Sequence, residues 1–258
     1  MTFSLAALDP APRRLLRDEL LAIADTKLVL GNWYAVCIMN GRSLPDFAAL
    51  TAMTGVTYGH ARALYQYLVN FGTAYATLER GRGPDDIRSM NLLDSPPRGW
   101  EDFLAATWLA EQATWAMLSG FLKSPDRVLA GLVEKIGQEI YFHLKYDTGW
   151  IRVVAADTAS RAAFVAALDA RLPAAVQWFG ADGADALHAA GLRDLPVEKL
   201  RRAFAAEVAA VADLVHQPIE VPAAAAPPAG WRSDARRAGG LPSRLYEVVR
   251  FKDRESAH

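Results

Sequence analysis

An all-α fold is predicted by three observations. Alanine and leucine dominate residues 11–216, and both favour helix strongly. Apolar residues recur there at alternating four- and three-residue steps, and no β-branched alternation lasts long enough to make a sheet. Breaks at Asn40-Gly41, Gly81-Arg82-Gly83-Pro84, Pro96-Pro97 and Ser124-Pro125-Asp126 delimit segments of helix length.

Each element follows from its boundary residues. The first helix is expected over residues 12–39, ending at Asn40-Gly41, a good C-terminal signal. Ser43-Leu44-Pro45-Asp46 restarts the chain with proline and a carboxylate in the first turn. The second helix then runs to residue 79. A crossover loop follows, with a short helix over residues 85–93. The third helix spans 100–123. The fourth spans 124–155, with Ser124 as N-cap and Pro125 at the first helical position. Further helices are expected at 158–179, 182–190 and 196–216. Four long helices with a large crossover between the second and third fit a ferritin-like helical bundle over residues 1–216. Residues 217–230 carry Pro218, Pro222, Pro227 and Pro228 among alanines, which predicts an extended proline-rich strap. With the arginine-rich tail from Trp231 to His258, it forms a segment, 217–258, that packs on the bundle or on a partner.

Composition narrows the function. The chain has 258 residues, 52% hydrophobic and 22% charged, with a formal net charge of −1. No basic excess argues for nucleic acid, and no stretch reads as a bilayer span. The N-terminal segment lacks the basic-then-apolar order of a secretory signal, so a cytoplasmic location is expected. A single cysteine, Cys37, excludes an internal disulfide framework and a multi-thiolate zinc site. It lies among Val36, Ile38 and Met39 and reads as buried filler rather than a nucleophile.

One apolar stripe can be traced along each long helix. The first is Leu16, Leu20, Ile23, Lys27, Leu30, Tyr34, Cys37; the second is Met53, Thr57, His60, Leu64, Tyr67. The third is Leu104, Trp108, Glu111, Trp115, Leu118, Leu122; the fourth is Val133, Ile136, Ile140, His143. Each is interrupted near its middle by a polar residue: Lys27, Thr57 with His60, Glu111, and His143. Thr57-Tyr58-Gly59-His60 and Ile140-Tyr141-Phe142-His143 have the layout of the Glu-x-x-His motif of di-iron bundles, with the histidine kept and the glutamate replaced. Such a centre needs carboxylates to neutralise and bridge its two ions. Here one carboxylate, Glu111, lies on the expected stripes, and Lys27 brings the wrong sign. The expectation is a vestigial site of Lys27, Thr57, His60, Glu111, Ile140 and His143, with no metal, in which Lys27 pairs with Glu111 and the histidines hydrogen-bond nearby. Glu139 is one residue out of register, a rotation of roughly 100°, and is expected to form an ion pair. Asp25 falls on a neighbouring stripe and is expected to be solvated or to support the site from behind.

Tyr58-Gly59-His60-Ala61-Arg62-Ala63-Leu64-Tyr65, Gln138-Glu139-Ile140-Tyr141-Phe142-His143-Leu144-Lys145 and Gly149-Trp150 resemble the phenylacetyl-CoA epoxidase family. The likeness extends to Asn91-Leu92-Leu93 and to Ala238-Gly239-Gly240-Leu241-Pro242 followed by a short helix. More narrowly, the chain resembles the non-catalytic, PaaC-type structural subunit. The resemblance implies a ferritin-like bundle paired with a homologous catalytic subunit that holds the iron and carries glutamate at the positions of Thr57 and Ile140. It implies no cofactor in this chain. His60 stands where glutamine is common in structural subunits.

Two functions follow as expectations. The first is a structural subunit of a di-iron monooxygenase complex acting on aromatic acids or CoA thioesters. Its partner is the homologous catalytic subunit, with self-association as a further option and neither nucleic acid nor membrane involved. The alternative is a divergent metal-dependent oxygenase using His60, Glu111 and His143, with Glu139 or Asp25 completing the set. CoA-ester binding without catalysis is a third reading, resting on the arginines of the tail. The tail is expected to reach a subunit interface through Trp231, Leu245, Tyr246 and Phe251.

Overall fold

The computed structural model describes residues 3–180, 183, 185–222 and 227–250. It is all-α, as the periodicity requires of a ferritin-like bundle. The helices are α1 (Pro10–Cys37), α2 (Leu44–Leu68), α3 (Tyr75–Arg80), α4 (Trp100–Ser119), α5 (Arg127–Ala156), α6 (Thr158–Trp178), α7 (Ala186–Ala189), α8 (Val197–Val215) and α9 (Ser243–Val249). The β-structure of the described residues is one antiparallel pair, β1 (Trp231–Arg232) and β2 (Arg237–Ala238).

Several boundaries differ from expectation for local reasons. The second predicted helix is two. α2 ends at Leu68, a 3-10 turn follows over Val69–Phe71, and Gly72 takes the left-handed conformation (φ 94°) that turns the chain into α3. The expected helix at 85–93 is two isolated 3-10 turns, Pro84–Asp86 and Asn91–Leu93. α4 stops at Ser119, four residues early, and Leu122 is consequently off the stripe and 40% exposed. α5 is capped by Asp126, not Ser124: its carboxylate accepts from the amides of Val128 and Leu129. The helix expected at 182–190 is the single turn α7, capped by Asp185; Asp182 lies outside the described residues. The described part of the strap carries no helix. α1 also corrects the membrane reading. One window within Pro10–Asn40 meets the length and composition of a bilayer span, and 78% of it is buried inside the protein, as in a core helix.

The chain divides into two compact units, Met1–Leu16 with Pro97–Pro227, and Arg17–Pro96 with Pro228–His258. In the first, α4 is the central helix and touches α5, α6 and α8. It buries almost every residue, which explains its near-continuous apolar sequence. Trp115 covers Gly137 of α5 so closely that a methyl group there would clash with the indole. α8 buries Leu200, Phe204, Val208, Val211 and Val215 at helical spacing. The charged clamp of this unit is Arg171 on α6, whose Nη2 donates to Asp102 Oδ2 at 2.9 Å.

The second unit is built on α1 and α2. Tyr58 lies over Gly31, where an added Cβ would meet the ring at 3.0 Å. Residues 228–250 are an integral part of this unit. Arg237 is fully buried and donates to the Ser89 carbonyl (2.9 Å) and to Asp94 (2.9 Å). Arg236 pairs with Glu19 at 2.7 Å, and the Tyr246 hydroxyl donates to the Arg82 carbonyl at 2.7 Å. Leu245 is buried. Arg236 thus ties this segment to α1, and Arg237 ties it to the crossover loop. Phe251 lies outside the described residues.

Candidate functional site

In the first unit the stripes of α4 and α5 bring together one polar group. Glu111 is fully buried on α4 and His143 is 2% exposed on α5. His143 Nδ1 lies 2.9 Å from Glu111 Oε1, so the ring donates this bond to the carboxylate. One turn before His143, Ile140 is buried at the position where a glutamate ligand would project. One turn after it stands Asp147, which the sequence reading missed. Asp147 is fully buried, and neither carboxylate oxygen has a hydrogen-bond partner among the described residues. Burial first, and the Glu111 charge second, raise its carboxyl well above the usual carboxylate range. The signal was present in the sequence: His143 and Asp147 are four residues apart, the next step of the fourth stripe, which continues through Ile151 and Val154.

In the second unit Lys27 on α1 and Thr57 on α2 are fully buried, and His60 is 2% exposed one turn after Thr57. The Thr57 hydroxyl, buried, has no hydrogen-bond partner among the described residues. Asp25 corrects its expectation. It is fully buried, and its Oδ2 accepts from Arg82 Nη1 at 2.7 Å and from the Arg88 amide at 2.8 Å, while Oδ1 accepts from the Tyr65 hydroxyl at 2.6 Å. Burial disfavours the Arg82 charge, but the Asp25 carboxylate outweighs it and raises the guanidinium's pKa. Tyr65 is pushed well above its ordinary value by burial and then by Asp25. Asp25 is thus committed to tying α1 to the crossover loop. Glu139 pairs with Lys135 at 2.6 Å on the outer side of α5, the ion pair its register implied. Cys37 is buried, and burial pushes its thiol up to about 11.

These residues do not fit a di-iron centre. Two of the four carboxylate positions are a buried threonine and a buried isoleucine, and the first-helix position is a buried lysine. Glu111 is bonded to His143, the histidine of the second motif. Among the described residues no three His, Cys, Asp or Glu side chains are arranged as metal ligands.

The model of a protein family described as phenylacetic acid catabolic protein matches residues 6–235. The chain belongs to that family. The match takes in both histidine motifs, Glu111 and Asp147. No curated protein matches the chain significantly. Membership of the phenylacetic acid catabolic family relates the chain to di-iron oxygenases of phenylacetate breakdown.

Proposed function

We propose that the chain is the non-catalytic, PaaC-type structural subunit of a multicomponent di-iron monooxygenase of the phenylacetyl-CoA epoxidase type. The observation that carries this reading is Ile140, buried one turn before His143 where the chemistry needs a carboxylate. An alkyl side chain there can neither bridge two ions nor offset their charge. The buried Glu111 carboxylate is paired with the His143 ring, a pairing that needs no cation.

A structural subunit needs a surface for its partner. Tyr141 and Phe142, next to Ile140 and His143 on α5, are 55% and 69% exposed. Exposed neighbouring aromatics of this kind are enriched in protein interfaces. The partner in this reading is the homologous catalytic subunit that holds the iron.

Iron analysis of the chain expressed with ample iron, alone and with its catalytic paralogue, tests the proposal. The expected result is co-purification of the pair with iron confined to the paralogue. Stoichiometric iron in the isolated chain would overturn the structural reading in favour of a reduced-ligand oxygenase.

A further inference from the structure

The buried stripe of α5 has an outer counterpart. Val128, Gly131, Gln138, Phe142, Gly149 and Val153 recur at helical spacing on the side of α5 turned away from Ile140 and His143, and all six are exposed. Val128 and Phe142 are each 69% exposed, and Val153 is 59% exposed. Large apolar side chains aligned along one face of a helix mark a surface that another body covers.

Gly131 and Gly149 lie on the midline of that row. Glycine inside a helix costs stability relative to alanine, and at neither position would an added Cβ meet another atom within 4 Å. Gly137 differs, because Trp115 of the same unit occupies the space beside it. The chain's own packing gives no reason for Gly131 or Gly149. A second helix laid along α5 gives one, since helices approach closest where side chains are missing. A lipid surface gains nothing from a recessed midline.

Charge decides which helix fits. Arg127, Lys145 and Arg152 follow one edge of the row, all exposed, with the acid Glu134 among them. Arg127 and Arg152 have no hydrogen bond or ion pair among the described residues. The Lys145 ammonium lies 5.3 Å from the centre of the Tyr141 ring. In a second copy of this chain, antiparallel pairing of α5 sets this edge against itself and brings like charges together. An acidic edge on a different chain complements it. We propose that the outer face of α5 docks an acidic amphipathic helix of the catalytic subunit, which lies along α5 over Gly131 and Gly149. Its apolar side chains meet Val128, Phe142 and Val153, and its carboxylates meet Arg127, Lys145 and Arg152. The inference rests on the structural-subunit reading for the identity of that partner.

Titration of the full chain with its catalytic paralogue, at two salt concentrations, tests it. Arg127→Glu/Lys145→Glu/Arg152→Glu should weaken the pair by about tenfold or more and flatten its salt dependence, with little change in melting temperature. Gly131→Gln/Gly149→Gln should do two opposite things: raise the melting temperature of the isolated chain, because glycine leaves the helix, and weaken the pair, because the close approach is blocked. Parent-like affinity in both variants overturns the inference and leaves the structural-subunit reading intact. Failure of the parent chain to pair overturns both. Stoichiometric iron in the isolated chain, with pairing still lost in both variants, overturns the reading and supports the docking face. Two results replace the occupant and so overturn the inference. One is binding of the chain to phosphatidylglycerol vesicles that the charge variant abolishes, and the other is a dimer of the isolated chain that the glycine variant splits.

Discussion

His143 donates its Nδ1 proton to Glu111 across the α4–α5 contact at 2.9 Å, and both side chains are buried. In a di-iron bundle these two residue types would face a shared cation. Here they are bonded to each other.

Replacing Glu111 by alanine should therefore destabilise the chain by about 3 kcal/mol, because it opens a cavity and leaves a buried ring donor unmatched. Glu111→Gln keeps an acceptor and should cost less. Urea unfolding of the two variants measures the difference. An alanine variant as stable as the parent would show that the bond contributes nothing net.

Asp147 sets an expectation for pH. Its folded-state carboxyl is raised above the usual 3.8 by burial and by Glu111, so the folded chain holds the proton more tightly than the unfolded chain does. Its contribution to stability is full below the unfolded value and is lost as pH rises through the raised one. Asp147→Asn removes this titration. Relative to the parent, the variant should gain stability in denaturant unfolding as pH rises above the ordinary carboxylate range. Parallel stability curves for the two chains would contradict the assignment of a buried acid.

Asp25 joins Arg82, Tyr65 and the Arg88 amide. Asp25→Ala leaves a buried guanidinium without its counter-charge and should cost about 3–5 kcal/mol. Hydrogen exchange should locate the loosening in residues 82–90, the part of the crossover loop that Asp25 holds. Uniform exchange, unchanged from the parent, would refute that anchoring role.

For the proposed partner surface, Phe142→Asp should reduce co-purification with the catalytic paralogue and leave the melting temperature of the isolated chain nearly unchanged, as expected at an exposed position. Deleting the segment from Trp231 onward should do the reverse. Arg236, Arg237 and Tyr246 are bonded within the second unit, so the isolated chain should melt early. Retained assembly of Phe142→Asp would move the interface off this face of α5.

The sequence by itself determined the helical class, the register of the four stripes and the identity of the polar residues on them. Helical period is a local property, and burial follows it: every first-stripe residue from Leu16 to Cys37 is buried, Lys27 included. It also carried the family, through the order and spacing of the two histidine motifs. Helix ends were less legible. The chain stops α4 at Ser119 and breaks after Leu68 through turn geometry that competes nearly evenly with helix. Only tertiary structure decided the partners of the charged residues. Asp25 reads as a surface charge until Arg82, 57 residues away, reaches it, and Asp147 reads as one more helix acid until α4 closes over it. The tail arginines look like a solvated run, yet Arg237 is buried against Ser89 and Asp94. Charge pairing depends on distances between segments remote in sequence, and no local pattern encodes those distances.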